Sequence, residues 1–225
     1  NTDPVISDVT ITPNPAYNDD TITCAATVSD LDDDTLTMTY EMYNPNKSDY
    51  FGTAASVELD FELASPGDTI ECTVTVDDGN GGVVTSMGTI TIDNRLPSQP
   101  TISLGPDPAI EGDDLLCSVD VESVDADEDM VMYTYVWTDP DGTVQQTTST
   151  MDTSDTFAGV DTVEGDWMCE VTPNDGYGDG VADSVTLTVE SMEGCYSLDF
   201  DGINDYILLS STMEDYLYSS GGWTV

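Results

Sequence analysis

Two stretches of sequence decide the fold: Asp68-Thr-Ile-Glu-Cys-Thr-Val-Thr-Val-Asp-Asp-Gly79 and Asp166-Trp-Met-Cys-Glu-Val-Thr-Pro-Asn-Asp-Gly176. In each, a cysteine and apolar residues alternate with polar residues, a period of two that is typical of a strand with one buried face. Each stretch has an earlier counterpart with the same alternation, Asp20-Thr-Ile-Thr-Cys24 and Asp114-Leu-Leu-Cys117. The chain therefore contains one pattern twice.

The surroundings of the cysteines repeat as well. Val9-Thr-Ile-Thr-Pro-Asn-Pro-Ala16 in the first unit corresponds to Ile102-Ser-Leu-Gly-Pro-Asp-Pro-Ala109 in the second. The second unit follows the first by about 95 residues, the length of one small domain. We predict one domain over residues 1–94 and another over 95–191, with the boundary near residues 93–100.

The alternation also predicts the core. In the first unit the inward residues are Ile22, Cys24, Ala26, Val28, Leu36, Met38, Tyr40, Met42, Val57, Leu59, Phe61, Leu63, Ile70, Cys72, Val74, Val76, Ile90 and Ile92. In the second they are Leu115, Cys117, Val119, Val121, Val131, Tyr133, Tyr135, Trp137, Trp167, Cys169, Val171, Val185, Leu187 and Val189. No window shows a helical period with caps, so we expect an all-β protein.

Cysteine spacing indicates disulfides. Cys24 and Cys72 are 48 residues apart, and Cys117 and Cys169 are 52 apart. Two similar gaps predict one disulfide per repeat, with four buried free thiols as the alternative. Disulfides persist in oxidising compartments, so we expect a secreted or cell-surface protein. Cys195, the fifth cysteine, is left to pair elsewhere or stay free.

These patterns resemble immunoglobulin-like sandwiches, in particular the extracellular repeats of bacteria and archaea described as immunoglobulin-like or PKD-like. The stretch Tyr133-Thr-Tyr-Val-Trp-Thr-Asp-Pro-Asp-Gly142 is especially similar to sequences in such repeats. The resemblance implies that each disulfide links the second and the penultimate strands, and that Trp137 packs against the bridge, with Met42 in its place in the first unit. Ile70 and Trp167 stand where the family's tyrosine corner would be.

The last residues differ from the repeats. Tyr196-Ser-Leu-Asp-Phe-Asp-Gly-Ile-Asn-Asp-Tyr-Ile-Leu-Leu209 resembles the opening of a laminin-G-like, concanavalin-A-type jelly roll. Residues 192–225 are too few for that fold, so we expect an incomplete β segment. Either the protein continues beyond Val225 or the segment supplies strands to another sheet. The first residues, Asn1-Thr-Asp-Pro4, lack a signal-peptide pattern and are expected to belong to a mature form or a fragment.

Charge excludes several functions. The 225 residues contain 46 acidic and two basic side chains and no histidine, a net charge of −44. Such a surface repels phosphate backbones and anionic lipid headgroups, so nucleic acid is not an expected partner. No stretch approaches the roughly 18 apolar residues of a membrane span, so no membrane insertion is expected. Without histidine, serine–histidine and cysteine–histidine nucleophiles and zinc sites with imidazole are excluded within this chain.

The acids gather in loops that this fold places at one end of each sandwich. The candidate ligands are Asp30, Asp32, Asp34, Asp77 and Asp78 in the first unit, and Asp93, Asn94, Asp125, Asp127, Asp129, Asn174 and Asp175 at the second. So many carboxylates repel one another unless a cation or water screens them. Flexible sets of oxygen ligands suit Ca²⁺ better than Mg²⁺. The alternative is an acidic end that is only solvated.

A second calcium pattern fails. Asp30-x-Asp32-x-Asp34 with Glu41 at the twelfth position imitates an EF-hand loop. Thr35 replaces the required glycine, and the last residues have a strand pattern, so we reject the EF-hand.

The two basic residues can be placed individually. Arg95 lies between the predicted domains among acids, where its guanidinium can bridge them. The alternative is a solvent-exposed side chain that contributes little to stability. Lys47 belongs to Asn46-Lys-Ser48, the only N-glycosylation sequon, in a predicted exposed loop.

We therefore expect a non-enzymatic extracellular structural or adhesive protein, a stalk or filament subunit that self-associates and that calcium stiffens. The alternative is a carbohydrate-binding or spacer region of a larger secreted protein or hydrolase, with a glycan as the possible ligand.

Overall fold

The structure is a computed structural model that describes residues 1–192. The predicted C-terminal β segment, its laminin-G-like pattern and Cys195 lie outside the described residues. Within these, no helix has the length and hydrophobicity needed to cross a membrane.

The first sandwich has seven strands in two antiparallel sheets. The order β1-β2-β5 forms one sheet and β4-β3-β6-β7 the other. A parallel bridge between Ala16 and Ile92 joins the chain after β1 to the end of β7. The strands are β1 (Val5–Thr12), β2 (Thr21–Ser29), β3 (Thr37–Asn44), β4 (Asp49–Gly52), β5 (Ser56–Glu58), β6 (Thr69–Asp77) and β7 (Val83–Thr91).

The second sandwich repeats this topology with one short strand added. Its sheets have the orders β13-β10-β8 and β12-β11-β14-β15-β9, and only the β15–β9 pair is parallel. A 3₁₀ turn at Gly159–Asp161 precedes β14. The strands are β8 (Thr101–Gly105), β9 (Ala109–Ile110), β10 (Leu115–Val121), β11 (Met132–Thr138), β12 (Val144–Thr150), β13 (Ser154–Phe157), β14 (Gly165–Asn174) and β15 (Asp183–Glu190).

Each sandwich has its own apolar core, and the alternation predicts most of it. On β6, Ile70, Cys72, Val74 and Val76 are fully buried while the residues between them are partly exposed. Burying one such side chain contributes about 1.5–3 kcal/mol, so the inward faces hold the sheets together.

Three predicted core residues are exposed instead: Met38 at 40%, Phe61 at 54% and Val121 at 59%. Met38 and Val121 lie at strand ends, where fewer neighbours cover a side chain. Phe61 lies in a turn, because the Asp60 carboxylate accepts the N–H groups of Glu62 and Leu63 and the extended chain stops before them.

A disulfide crosses each core as predicted. Cys24 on β2 bonds to Cys72 on β6, and Cys117 on β10 bonds to Cys169 on β14. Each bridge therefore joins the three-stranded sheet to the larger one.

The residues predicted to pack beside the bridges lie on β3 and β11. Met42 is directly opposite Cys72, and Trp137 is directly opposite Cys169. The indole N–H of buried Trp137 donates to Asp155 at 2.7 Å, so its one polar atom is satisfied.

Candidate functional site

Residues 92–100, here called the connector, run from the end of β7 to the start of β8. Arg95 of the connector contacts both sandwiches. On the first sandwich its guanidinium donates to Asp19 at 3.1 Å and to Asn18 Oδ1 at 3.2 Å, and it lies 4.8 Å from the centre of the Tyr17 ring. The prediction that Arg95 bridges the two units is confirmed.

On the second sandwich Arg95 binds Asp127, a residue of the loop after β10. Its Nε and Nη2 donate to Asp127 Oδ1 at 2.9 and 2.7 Å, and its backbone N–H donates to Asp127 Oδ2 at 2.6 Å. The Asp127 side chain is completely buried, whereas the Arg95 side chain is 27% exposed. Burial acts to lower the pKa of Arg95, but the bonds to Asp127 and Asp19 outweigh it and raise that pKa.

The loop after β10 is folded by one of its own carboxylates. Asp125 Oδ1 accepts the N–H groups of Asp127 at 2.8 Å and Asp129 at 3.3 Å. The loop after β14 is folded similarly, because Asp175 Oδ1 accepts the N–H groups of Tyr177 and Gly178, both at 2.7 Å. These bonds hold several acidic side chains close together although like charges repel.

The connector adds an amide to this group. Asn94 Nδ2 donates to Asp175 Oδ2 at 2.9 Å, which leaves the amide oxygen of Asn94 for another partner. We call Asn94, Asp125, Asp129 and Asp175 the junction site.

Three oxygen atoms of the junction site are buried without a hydrogen-bond partner: Asn94 Oδ1, Asp125 Oδ2 and Asp129 Oδ2. Asp125 as a whole is only 9% exposed. A buried polar atom left unsatisfied costs about 1–3 kcal/mol, and more when it is charged. Oxygen atoms of this kind are what a bound cation would satisfy.

The first sandwich has the same arrangement at its own end. Asp30 Oδ1 accepts the N–H groups of Asp32 at 2.7 Å and Asp34 at 3.4 Å, as Asp125 does for Asp127 and Asp129. Asn1 Nδ2 donates to Asp78 Oδ2 at 2.8 Å, as Asn94 does to Asp175. We call Asn1, Asp30, Asp34 and Asp78 the N-terminal site.

The correspondence extends to the backbone. The N–H of Thr2 donates to Asp32 Oδ2 at 2.5 Å, in the way that the N–H of Arg95 donates to Asp127. Asp33 and Glu128, at equivalent loop positions, both have positive φ, 58° and 64°. Residues 1–4 therefore pack on the first sandwich as residues 94–97 pack on the second.

Glycines allow this close packing. A Cβ on Gly82 would lie 2.9 Å from the Pro4 ring and 2.2 Å from Asp78 Oδ2, and one on Gly180 would lie 2.3 Å from the carbonyl oxygen of Pro97. Larger residues at either position would push the preceding segment away from its sandwich.

The N-terminal site brings its carboxylates closest together. One oxygen from each of Asp30, Asp34 and Asp78 lies within 4.8 Å of the others, and among residues 1–192 no other three acidic groups meet this limit. Asp30 Oδ2 is buried without a hydrogen-bond partner, like its counterpart in Asp125.

The electrostatic effects differ within the sites. The bond from Asn1 lowers the pKa of Asp78, and the bond from Thr2 lowers that of Asp32. Burial acts to raise the pKa of Asp175, but the bonds from Asn94 and the backbone outweigh it and lower that pKa. Burial and the charges of Asp125, Asp127 and Asp175 raise the pKa of Asp129. The hydrogen bonds of Asp129 therefore do not compensate for its burial and for the neighbouring charges.

Several predicted ligands lie elsewhere. Asp32 accepts the N–H of Thr2 and Asp127 accepts the N–H of Arg95, and neither has an unsatisfied buried oxygen. Asp77 and Asp93 are exposed, and Asp77 only folds its own turn by accepting the N–H of Gly79. Asn174 binds Asp179 at 2.6 Å, outside the site. Asn1 was not predicted, although Asn1-x-x-Pro4 repeats as Asn94-x-x-Pro97.

The sequon lies apart from both sites. Asn46 is exposed in the turn between β3 and β4, and its Oδ1 accepts the N–H of Thr69 at 2.9 Å. Lys47 donates to the carbonyl oxygens of Phe61 and Glu62, both at 2.9 Å. Glycosylation of Asn46 stays a prediction.

No family model and no curated protein matches the chain. Among solved structures it is similar to a two-domain fibronectin type III segment of chicken tenascin, with 11% identity, a TM-score of 0.43, and coverage of 82% of this chain and 99% of that one. It is also similar to the FN1–FN3 domains of chicken CNTN1, with 11% identity, a TM-score of 0.37, and coverage of 84% and 68%.

A third similar structure is the extracellular region of rat CD45, domains d3–d4, with 8% identity and a TM-score of 0.37. That match covers 46% of this chain, and the chain spans about half of that structure, 56%. The assignment of two sandwiches rests on the strand pairing and the disulfides described above.

Proposed function

We propose that this chain is a non-enzymatic extracellular structural or adhesive element, a stalk or filament subunit in which Ca²⁺ stiffens the junction between tandem sandwiches. The observation that carries the proposal is a contact that occurs twice: residues 1–4 bind the acidic end of the first sandwich, and the connector binds the acidic end of the second. Equivalent residues take part in both contacts: an asparagine, a loop with three aspartates, and a carboxylate of the neighbouring loop.

The disulfides support an extracellular location. Both cores are crossed by one, and such bonds persist outside the cytosol. A chain of net charge −44 also stays soluble and monomeric by self-repulsion unless cations screen it. Extracellular fluids supply calcium at millimolar levels, the range to which extracellular calcium modules are tuned.

The donor set favours calcium among the cations. Every candidate ligand is a carboxylate or amide oxygen, which hard cations prefer, and no imidazole or free thiolate is present among the candidate ligands. The ligands come from two loops and the connector, a flexible set. Mg²⁺ requires near-ideal octahedral geometry, whereas Ca²⁺ accepts six to eight oxygens in looser arrangements.

Cation binding would restrict the junction through one shared loop. Asp125 and Asp129 are ligand candidates, and Asp127 lies between them in the same loop. The guanidinium of Arg95 donates both to Asp127 and to Asp19 of the first sandwich. A cation that fixes this loop also fixes the anchor of Arg95. Calcium and Arg95 would thus act together to hold the two sandwiches at one angle.

A distance measurement between the sandwiches tests the proposal. Spin labels at Thr89→Cys and Thr186→Cys, both at exposed positions, are introduced in the full chain with Cys195→Ser. We expect the distribution of label distances to narrow at least twofold when Ca²⁺ replaces EDTA. Asp125→Asn should abolish the narrowing and Asp93→Asn, an exposed connector acid, should preserve it. Identical distributions in Ca²⁺ and EDTA would contradict the proposal.

A further inference from the structure

Strand β12 forms an open edge of the second sandwich. It is the first strand in the order β12-β11-β14-β15-β9 and pairs only with β11. In an antiparallel pair alternate residues direct their N–H and C=O groups away from the partner. Within residues 1–192 no backbone group bonds to the outer side of β12.

The composition of β12 is unusual for this chain. Val144-Gln-Gln-Thr-Thr-Ser-Thr150 has no charged residue, although 46 of the 225 residues are acidic. Proteins commonly protect exposed edges with charged side chains, because an unpaired edge is a template for another strand. Four other edge strands of the sandwiches each carry an acid: Asp8 on β1, Asp49 on β4, Glu58 on β5 and Asp155 on β13.

The two other uncharged edges longer than two residues are covered. Gly88 of β7 lies so close to β1 that a Cβ there would be 2.6 Å from the carbonyl oxygen of Val9. The N–H of Ile102 on β8 donates to Asp183 at 3.3 Å. On β12 the Gln146 side chain reaches β13 and donates to Asp155, but this contact leaves the outer backbone open.

We propose that β12 pairs edge to edge with β12 of a second copy of this chain, antiparallel about a two-fold axis at Thr147. This inference rests on the proposed self-association and names its surface. The strand is nearly self-complementary in this register: Thr147 faces itself, Gln146 faces Thr148, and Gln145 faces Ser149.

The chemistry of such pairs is already present within the chain. The hydroxyl groups of Thr134 and Ser149 lie 2.9 Å apart across β11 and β12, and those of Thr75 and Thr85 lie 3.1 Å apart across β6 and β7. Cross-strand Thr–Thr and Thr–Ser pairs each contribute to sheet stability. A β12–β12 pair would continue the five-stranded sheet into the second copy.

Charge indicates where a second copy of the chain can approach. Two chains of net charge −44 repel each other over most of their surfaces. An uncharged strand is where two copies can approach at the lowest electrostatic cost. Carboxylates do lie close to β12: Asp139 and Asp152 beyond its two ends, and Asp155, which accepts from Gln146 at 2.8 Å. Pairing should therefore strengthen as salt screens them.

The contact is small. A seven-residue pairing buries less than the roughly 1,600 Å² of a standard stable interface, so the free chain should associate weakly. Chains held side by side on a surface or in a filament gain effective concentration, which strengthens weak contacts by about 10²–10⁴. The edge therefore suits lateral contacts in an assembly.

Covalent trapping tests a weak contact directly. In the full chain with Cys195→Ser, Thr147→Cys places two thiols opposite each other on the two-fold axis, within the range that a disulfide spans. We expect covalent dimers to form at least tenfold faster than with Thr89→Cys, at an equally exposed position on covered β7. Equal rates for the two variants would overturn the pairing.

A charge exchange provides the second measurement. By sedimentation at high salt, Thr147→Glu should shift the monomer–dimer equilibrium at least tenfold toward monomer, because like charges then face each other. An equimolar mixture with Thr147→Lys should recover dimers, and failure of the mixture to do so would also count against the pairing. If wild type associates normally while both tests fail, self-association stands and only the β12 surface is wrong. If wild type shows no association, the proposed self-association fails with it.

Discussion

Arg95 satisfies both carboxylate oxygens of Asp127, one through its guanidinium and the other through its backbone N–H. This pair fixes the connector to the second sandwich. The same guanidinium reaches Asp19 on the first sandwich, so one side chain couples the two. Arg95 is one of only two basic residues in the chain, and it lies where it can pair with an acid of each sandwich.

Arg95→Gln should strongly destabilise the second sandwich, because it leaves the buried carboxylate of Asp127 without its counter-charge. Removing one partner of a buried ion pair costs about 3–5 kcal/mol, and we expect about 3 kcal/mol because Arg95 is partly exposed. Urea unfolding measures the change. The matched control is Asp19→Asn: the Asp19 side chain is 61% exposed, so its loss should cost less than about 1 kcal/mol. Equal effects of the two variants would show that Asp127 does not depend on Arg95.

Calcium should raise the thermal stability of both sandwiches. At a free Ca²⁺ concentration about 100 times Kd, binding contributes about 2.7 kcal/mol per site. For domains of this size that corresponds to an increase in Tm of roughly 10–20 °C. Calorimetry in Ca²⁺ and in EDTA gives this difference, and titration should find two sites per chain.

Single variants test the two proposed calcium sites. Asp125→Asn should remove one site and the calcium response of the second sandwich, whereas Asp30→Asn should do the same for the first. Asp77→Asn, at an exposed neighbour in the first sandwich, should leave both sites intact. Two sites that survive Asp125→Asn would contradict the assignment of the junction site.

Acid should weaken the β11–β12 hairpin through Asp139. The N–H of Thr143, at 2.8 Å from Oδ1, is the main contact that lowers the pKa of Asp139, and Gln145 adds to it. A carboxyl group whose pKa is lowered on folding contributes stability above its unfolded value, near 3.8, and loses it as the pH falls through the folded value. Asp139→Asn should therefore be less stable than wild type at pH 7, and the difference should shrink as the pH falls below 3.8.

Urea unfolding at pH 7 and at a pH below 3.8 measures how the difference in free energy of unfolding changes. Asp141→Asn is a suitable control, since its side chain makes no described hydrogen bond in the same exposed turn. A difference between wild type and Asp139→Asn that stays constant with pH would exclude the ionised carboxylate as its source.

Each disulfide should stabilise its own sandwich. Replacing Cys24 and Cys72 together by alanine opens a loop of 48 residues, and the chain-entropy account gives a loss of about 4 kcal/mol. Calorimetry should show a lower transition for the first sandwich and an unchanged one for the second. The double replacement at Cys117 and Cys169 should show the reverse. A loss shared equally by both transitions would mean that the sandwiches unfold as one unit.

Local patterns predicted the strands well because burial of one sheet face imposes a period of two. The prediction that Phe61 is buried was wrong, because hydrogen bonds to the Asp60 carboxylate form a turn there and the strand ends before it. The sequence also could not show which of the predicted ligands lie together, since proximity in sequence does not show which way a side chain turns. Asp77 is exposed, and Asn174 is bound by Asp179.

By itself the sequence determined the all-β class, the duplication, the cysteine pairs and the acidic loops, because each follows from periodicity, spacing or composition. Only the tertiary structure decided which acids meet. Hydrogen bonds from Asp125 and Asp30 to their own loops turn particular carboxylates inward, and the connector brings Asn94 to Asp175 across 81 residues. Contacts between residues so far apart depend on how two sandwiches and a connector pack, which no local pattern encodes.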